Sequence, residues 1–277
     1  MTDDRDRFTT VLVRELQTLY RTRTVWLLAG GFLVLIVGTA LLSGTSGYVP
    51  LSLSLLTPLE LLVPAFAATL GYRAVLADRE RNEISILRTY PIEPGTYILG
   101  VYCGRLIGLL TIIVSTLLIT GLVVPLVGPS PAELTRTSGL DSPIYYLRFI
   151  VLTSIFAAVM QAIMIFLSAI VRNVRRGLIL AFVAVITLAI GFDLMIILGL
   201  AGDVFTANSL TGFLAMSPAS AYRGLVMTFV VAPVATTAVK AATPLAGLVG
   251  LFCWFLFPLL IAGWQVWNPS TYSAETE

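Results

Sequence analysis

Six apolar runs of about 20 residues or more leave this chain few ways to fold. They cover residues 24–43, 53–75, 96–127, 144–171, 177–200 and 244–264. About 20 apolar residues in a helix cross the hydrocarbon core of a bilayer. In lipid a helix satisfies every backbone N–H and C=O within its own segment. The chain is therefore predicted to be an all-α polytopic membrane protein with six transmembrane helices. Composition agrees: 57% of residues are hydrophobic and 12% charged, with a mean hydropathy of +0.94, whereas soluble domains carry about 25% charged residues. The third run exceeds what a perpendicular span needs, so it is predicted to tilt or to project into water.

Residues 1–23 are too polar to span. Phe8, Leu12, Leu16 and Leu19 recur at helical spacing, with Arg7, Arg14, Glu15 and Arg21 on other faces. This predicts an interfacial amphipathic helix ahead of the membrane domain, residues 24–267. The mixed-charge segment before the first run, and the later spans, favour an uncleaved helix over a signal peptide. Basic residues set the orientation. Arg5, Arg7, Arg14, Arg21 and Arg23 precede the first span. Arg73, Arg79, Arg81, Arg88 and Arg105 surround the second connection, and Arg172, Arg175 and Arg176 the fourth. With alternating spans all of these share one side, while Arg136, Arg148, Arg223 and Lys240 are spread over longer loops on the other. The positive-inside rule then places both termini in the cytoplasm of a plasma membrane protein, with 268–277 as a cytoplasmic tail. Residues 201–243 are long, apolar and broken by proline. They are predicted to be partly re-entrant before the last span, and an eight-span arrangement would keep the same orientation.

The densest charge lies in 78–100, between the second and third runs. Asp78 is placed to cap a short helix. Ile84 and Leu87 give that helix an apolar edge, Pro91 ends it, and Pro94-Gly95 restarts the chain. On the inner membrane face such an element has the shape of a docking knob, although a solvated loop with positive-inside arginines would look the same.

Charged groups inside apolar runs are rare and usually have a task. Glu60, Asp193 and Arg148 fall at comparable depth in the outer half of the membrane. They form a candidate polar cluster, lining a pathway or pairing structurally. Met160 and Met164, beside Gln161, have thioethers suited to Cu(I), but two methionines at helical spacing are more often packing, and no metal site is assigned. Cys103 and Cys253 lie in apolar runs and read as free thiols. The chain has no histidine, which removes Ser-His and Cys-His nucleophile pairs and histidine zinc sites. Glu60 and Asp193 have no motif to support an aspartyl protease. A phosphate-binding loop needs Lys between Gly and Ser or Thr. Lys240, the one lysine, stands between Val239 and Ala241, so any ATP-driven role needs a separate ATPase. With a net charge of +2 and dispersed basic residues, no nucleic-acid partner is expected.

The charged segment resembles the signature of ABC type-2 transporter permeases, in which an acid precedes an apolar pair, then Pro, then Leu-Gly opening the next span. The matching residues are Glu80, Ile84, Leu87, Pro91, Leu99 and Gly100. Ser217-Pro218-Ala219-Ser220-Ala221-Tyr222-Arg223 is similar to the Asn-Pro…Tyr/Phe-Arg segment before the last span of some of these permeases. The amphipathic first helix, six spans and apolar penultimate loop match the family layout over nearly the whole chain. Within the family the combination is similar to NosY-type permeases, which serve copper-centre maturation of nitrous oxide reductase. Asn82, where Gly is common, Glu93-Pro94 in place of a Ser-Arg type pair, and Val101, where Lys is common, depart from the pattern.

The resemblance implies a permease subunit of an exporter-like ABC transporter. In it the knob is a coupling helix seated in a groove of a cytoplasmic ATPase. Ile84 and Leu87 would be its anchors, Arg79, Glu80, Glu83 and Arg88 its polar rim, and Pro91 its end. Two permease copies in membrane lipid would pair above two ATPase subunits, which use the ATP, with an outer-side maturation factor as a further partner. The permease itself would bind no cofactor and be no enzyme. The alternatives are a membrane scaffold or assembly protein without transport, and a secondary transporter, which the absence of an inverted repeat disfavours.

Overall fold

The computed structural model describes residues 2–45, 47–84, 93–123, 141–202, 216–234 and 244–266. Helix α1 (Thr2–Arg21) leads to α2 (Arg23–Ser43) and α3 (Tyr48–Gly71), followed by the short α4 (Leu76–Glu80). Helices α5 (Pro94–Val123) and α6 (Pro143–Ile170) come next. Helix α7 (Val174–Ile186) continues through a π turn (Thr187–Gly191) into α8 (Phe192–Ala201). Helix α9 (Pro218–Val226) runs into a second π turn (Met227–Val231), and α10 (Pro244–Val266) ends the described chain. Among the described residues there are no strands, and six helices are long and apolar enough to cross a membrane. The protein is an all-α, multi-pass membrane protein. Within the described residues, each predicted apolar run falls on one of these helices.

The bundle is organised around α6, which packs on α3, α5, α9 and α10. Its most apolar window is 67% buried, against 17% in α2 and in the α7–α8 span. Met160, Gln161 and Met164 all lie in its buried face, and a Cβ at Gly71 of α3 would come within 2.6 Å of the Met164 Cβ. This methionine pair is packing between closely approaching helices.

Two helix ends are closed from a distance. Gly44, at a left-handed φ of 61°, terminates α2. Gly47 stands at the N-cap of α3 with no side chain to offer, and Asp141 supplies the acceptor instead: its carboxylate receives the backbone N–H groups of Tyr48 and Val49 at 2.5 and 3.0 Å. At the opposite end Ser168 Oγ of α6 accepts the N–H groups of Val75 and Leu76, which open α4.

Candidate functional site

The residues that carry charge inside the fold gather in two clusters. The first joins α1, α4 and α5. Gly100, Gly104 and Gly108 recur every fourth residue on α5, and small residues at that spacing let helix backbones approach closely. A Cβ on them would lie 2.8 Å from Val11, 2.6 Å from Glu15 and 2.7 Å from Leu19 respectively. Residue numbers rise together along both helices, so α1 runs parallel to the start of α5. The face of α1 that is buried is therefore Val11, Glu15 and Leu19; of the predicted edge of Phe8, Leu12, Leu16 and Leu19, only Leu19 lies in it, and the other three lie one position round.

Glu15 thus enters the interface with 3% exposure. It is paired there: Arg105 Nε donates to one carboxylate oxygen at 2.7 Å and Arg14 to the other at 3.1 Å. Arg105 also donates to the Leu70 carbonyl near the end of α3. Arg14 reaches in the other direction, donating to Asp78 at 2.6 Å and to Glu83 at 3.3 Å. Tyr97 donates its hydroxyl to the same Asp78 oxygen at 2.7 Å. Partial burial opposes the Arg14 charge, but Asp78 and Glu15 outweigh it and hold the guanidinium further above its ordinary range. One arginine thereby ties α1 to α4, while Tyr97 ties α4 to α5.

This geometry corrects the predicted use of the 78–95 segment in three places. Asp78 does not cap a helix. It lies inside α4, buried, and binds Arg14 and Tyr97. Ile84 is 1% exposed among Val11, Tyr97, Ile98 and Val101, so it anchors the segment to its own bundle and offers no surface to a partner. Arg79 is half-buried and bound to its own bundle, where it donates to the carbonyls of Ala169 and Val171 and closes the end of α6. Glu80 meets Arg73, and Glu83 meets Arg14 and Arg81. Leu87, Arg88 and Pro91 lie outside the described residues.

Asn82 has a positive φ of 55°, a region that glycine enters freely and asparagine tolerates. The departure from glycine noted in the sequence is thus conservative in backbone terms. Asn82→Gly is expected to leave thermal stability within about 0.5 kcal/mol, whereas the β-branched Asn82→Val should lose about 1–2 kcal/mol; thermal unfolding of the purified protein reads both.

The second cluster brings together Glu60 of α3 and Asp193 of α8, as their matched depth predicted, but the cation between them is Arg223 of α9. Arg223 grips the Glu60 carboxylate through Nε and a terminal nitrogen and donates to Asp193 at 3.0 Å. Ser220, one turn earlier, donates to the other Asp193 oxygen at 2.7 Å. Arg148 does not join them. It donates to the Phe229 carbonyl and lies over the Tyr145 ring. The local sequence explains the placement of Arg223. Ser217 caps α9 by accepting the Ser220 N–H, and Pro218 occupies its first turn. Tyr222 then enters the core, stacked on Phe156 at 4.6 Å and hydrogen-bonded to Thr153, which turns the adjacent Arg223 toward α3.

Six spanning helices, a polar segment tied to the interfacial helix α1 and to the third span α5, and an arginine clamp before the last span make up the membrane domain. The chain belongs to a known transporter family: the family described as ABC-2 family transporter protein matches residues 56–262. It is a permease, the membrane component of an ABC transporter. The match spans α3 to α10 and includes both Asp78 and the Glu60–Asp193–Arg223 clamp. Comparison with curated proteins gave no match.

Proposed function

We propose that the chain couples to a separate cytoplasmic ABC ATPase through the 78–95 segment, with two permease copies and two ATPase subunits in an exporter-like assembly in the plasma membrane. The observation that carries this reading is the Arg14–Asp78–Tyr97 junction, in which a half-buried arginine and a buried tyrosine meet the buried Asp78 carboxylate. A segment that only linked two spans would need no charged tie to its neighbours. Movement at α4 would pass through Arg14 into the interfacial helix α1 and through Tyr97 into the span α5, so a push from below reaches both together. With Ile84 turned inward, the exposed Glu80 and Arg81 are the described residues left to meet the ATPase, and Leu87 remains the proposed apolar anchor. Copper-enzyme maturation, aided by an outer-side factor, is the cargo reading that the sequence resemblance favours.

Mild-detergent isolation of the tagged protein from its native membranes, followed by mass spectrometry, tests the reading. A co-purifying ATPase with a phosphate-binding loop is expected, and Leu87→Asp should reduce its yield at least tenfold while the permease still inserts. An intact complex without any ATPase would replace this reading by that of a membrane scaffold. A copper-enzyme maturation factor in the same eluate would support the cargo reading, and its absence from a complex that retains the ATPase would remove it.

A further inference from the structure

Where α6 turns into α7, a groove of about 530 Å³ carries two arginines at one end and an apolar wall at the other. Arg172 and Arg176 line it, followed by Ile179, Leu180 and Val183. Neither guanidinium has an acidic partner among the described residues, in contrast to Arg14, Arg105 and Arg223. The wall residues follow Arg176 at three, four and seven positions, so they share its face of α7 and extend about 10 Å along the axis at 1.5 Å per residue. Ile179 and Val183 are 55% and 50% exposed. We propose that this groove binds one anionic phospholipid of the bilayer, its phosphodiester on Arg172 and Arg176 and an acyl chain along Ile179, Leu180 and Val183.

Charge complementarity selects the headgroup, since basic pockets between spanning helices recruit anionic lipid. The wall selects a lipid over a soluble acid. A carboxylate of another protein, or free phosphate, would satisfy the arginines and leave the apolar surface uncovered. The groove also lies close to the coupling segment: Arg79 binds the Val171 carbonyl, and Gly177 faces Leu76 across a gap that a Cβ would narrow to 3.1 Å. A lipid held there would brace the junction between α4 and the turn that joins α6 to α7.

Native mass spectrometry of the purified full-length protein, titrated with phosphatidylglycerol or phosphatidylcholine, tests this. Wild type is expected to retain one phosphatidylglycerol with roughly thirtyfold preference, as two arginines near a membrane surface would supply. The preference should vanish in the R172Q/R176Q variant, survive in R172K/R176K, and be unchanged in R23Q, whose arginine lies outside the groove. Ile179→Ser should weaken both lipids alike. Equal retention of the two lipids by wild type overturns the proposal, as does a preference that persists in R172Q/R176Q. Displacement of the lipid by millimolar inorganic phosphate would mark a phosphate site instead. Loss of a co-purifying ATPase from R172Q/R176Q, with the lipid preference intact, would assign the arginines to a protein interface.

Discussion

Arg223→Ala is expected to cost about 3 kcal/mol of stability, one of the two largest effects of any single change considered. Glu60 is 5% exposed, and removing one partner of a buried ion pair leaves the other charge without compensation, a loss of about 3–5 kcal/mol. The lower end applies because the Arg223 side chain is 41% exposed, so the clamp is only partly enclosed by protein. Neutralising the whole clamp, as Glu60→Gln with Asp193→Asn and Arg223→Gln, should recover most of the loss, because no bare charge remains. Thermal unfolding in detergent compares the variants. If the triple variant is stable and still supports transport, the clamp holds helices together and does not handle cargo. If it is stable and transport fails, the charges lie on the pathway.

Gly104→Leu should displace α1 from α5. The new side chain would begin 2.6 Å from the Glu15 Cβ and 3.0 Å from the Leu12 carbonyl oxygen. The second of these is backbone and has no rotamer to change. Overpacking of this kind costs about 1–3 kcal/mol. Separation of the helices would also pull Glu15 from Arg105, so the total should exceed that of Gly95→Leu, where nothing crowds the Cβ position. Limited trypsin digestion gives an independent reading. Cleavage after Arg14, which is half-buried in its ion pairs, should speed up at least tenfold relative to wild type, while cleavage after the exposed Arg23 should change little.

Much of the fold was legible because lipid imposes length and apolarity on each span, and both are visible in the sequence. Glu60 and Asp193 were legible as a pair for a related reason: charges in apolar runs stand out, and counting along alternating spans gives their depth. Their cation was not legible by that route. Arg223 sits in a broken segment whose path was undetermined, and only the cap at Ser217 and the burial of Tyr222 direct it to α3. The junction at Arg14 was hidden for another reason. A charged residue on an amphipathic helix is by default assigned to the wet face, and Glu15 breaks that rule because Arg105 meets it inside. The repeated glycines of α5 were the available signal: a stripe that lets two backbones touch can bring an acid on the facing helix within reach of a buried partner.

The π turn at Thr187–Gly191 sets the angular register of the fifth span. Such a turn accommodates one more residue than an α-helical turn, and one residue corresponds to about 100° of rotation. Asp193 follows it by two positions, so the compass bearing of its carboxylate depends on that additional residue. An unbroken α-helix of the same composition would match the bilayer equally well and still aim Asp193 away from Arg223. The hydrophobic length of this span and the direction in which its acid points are thus separate inheritances, carried by different residues of one helix.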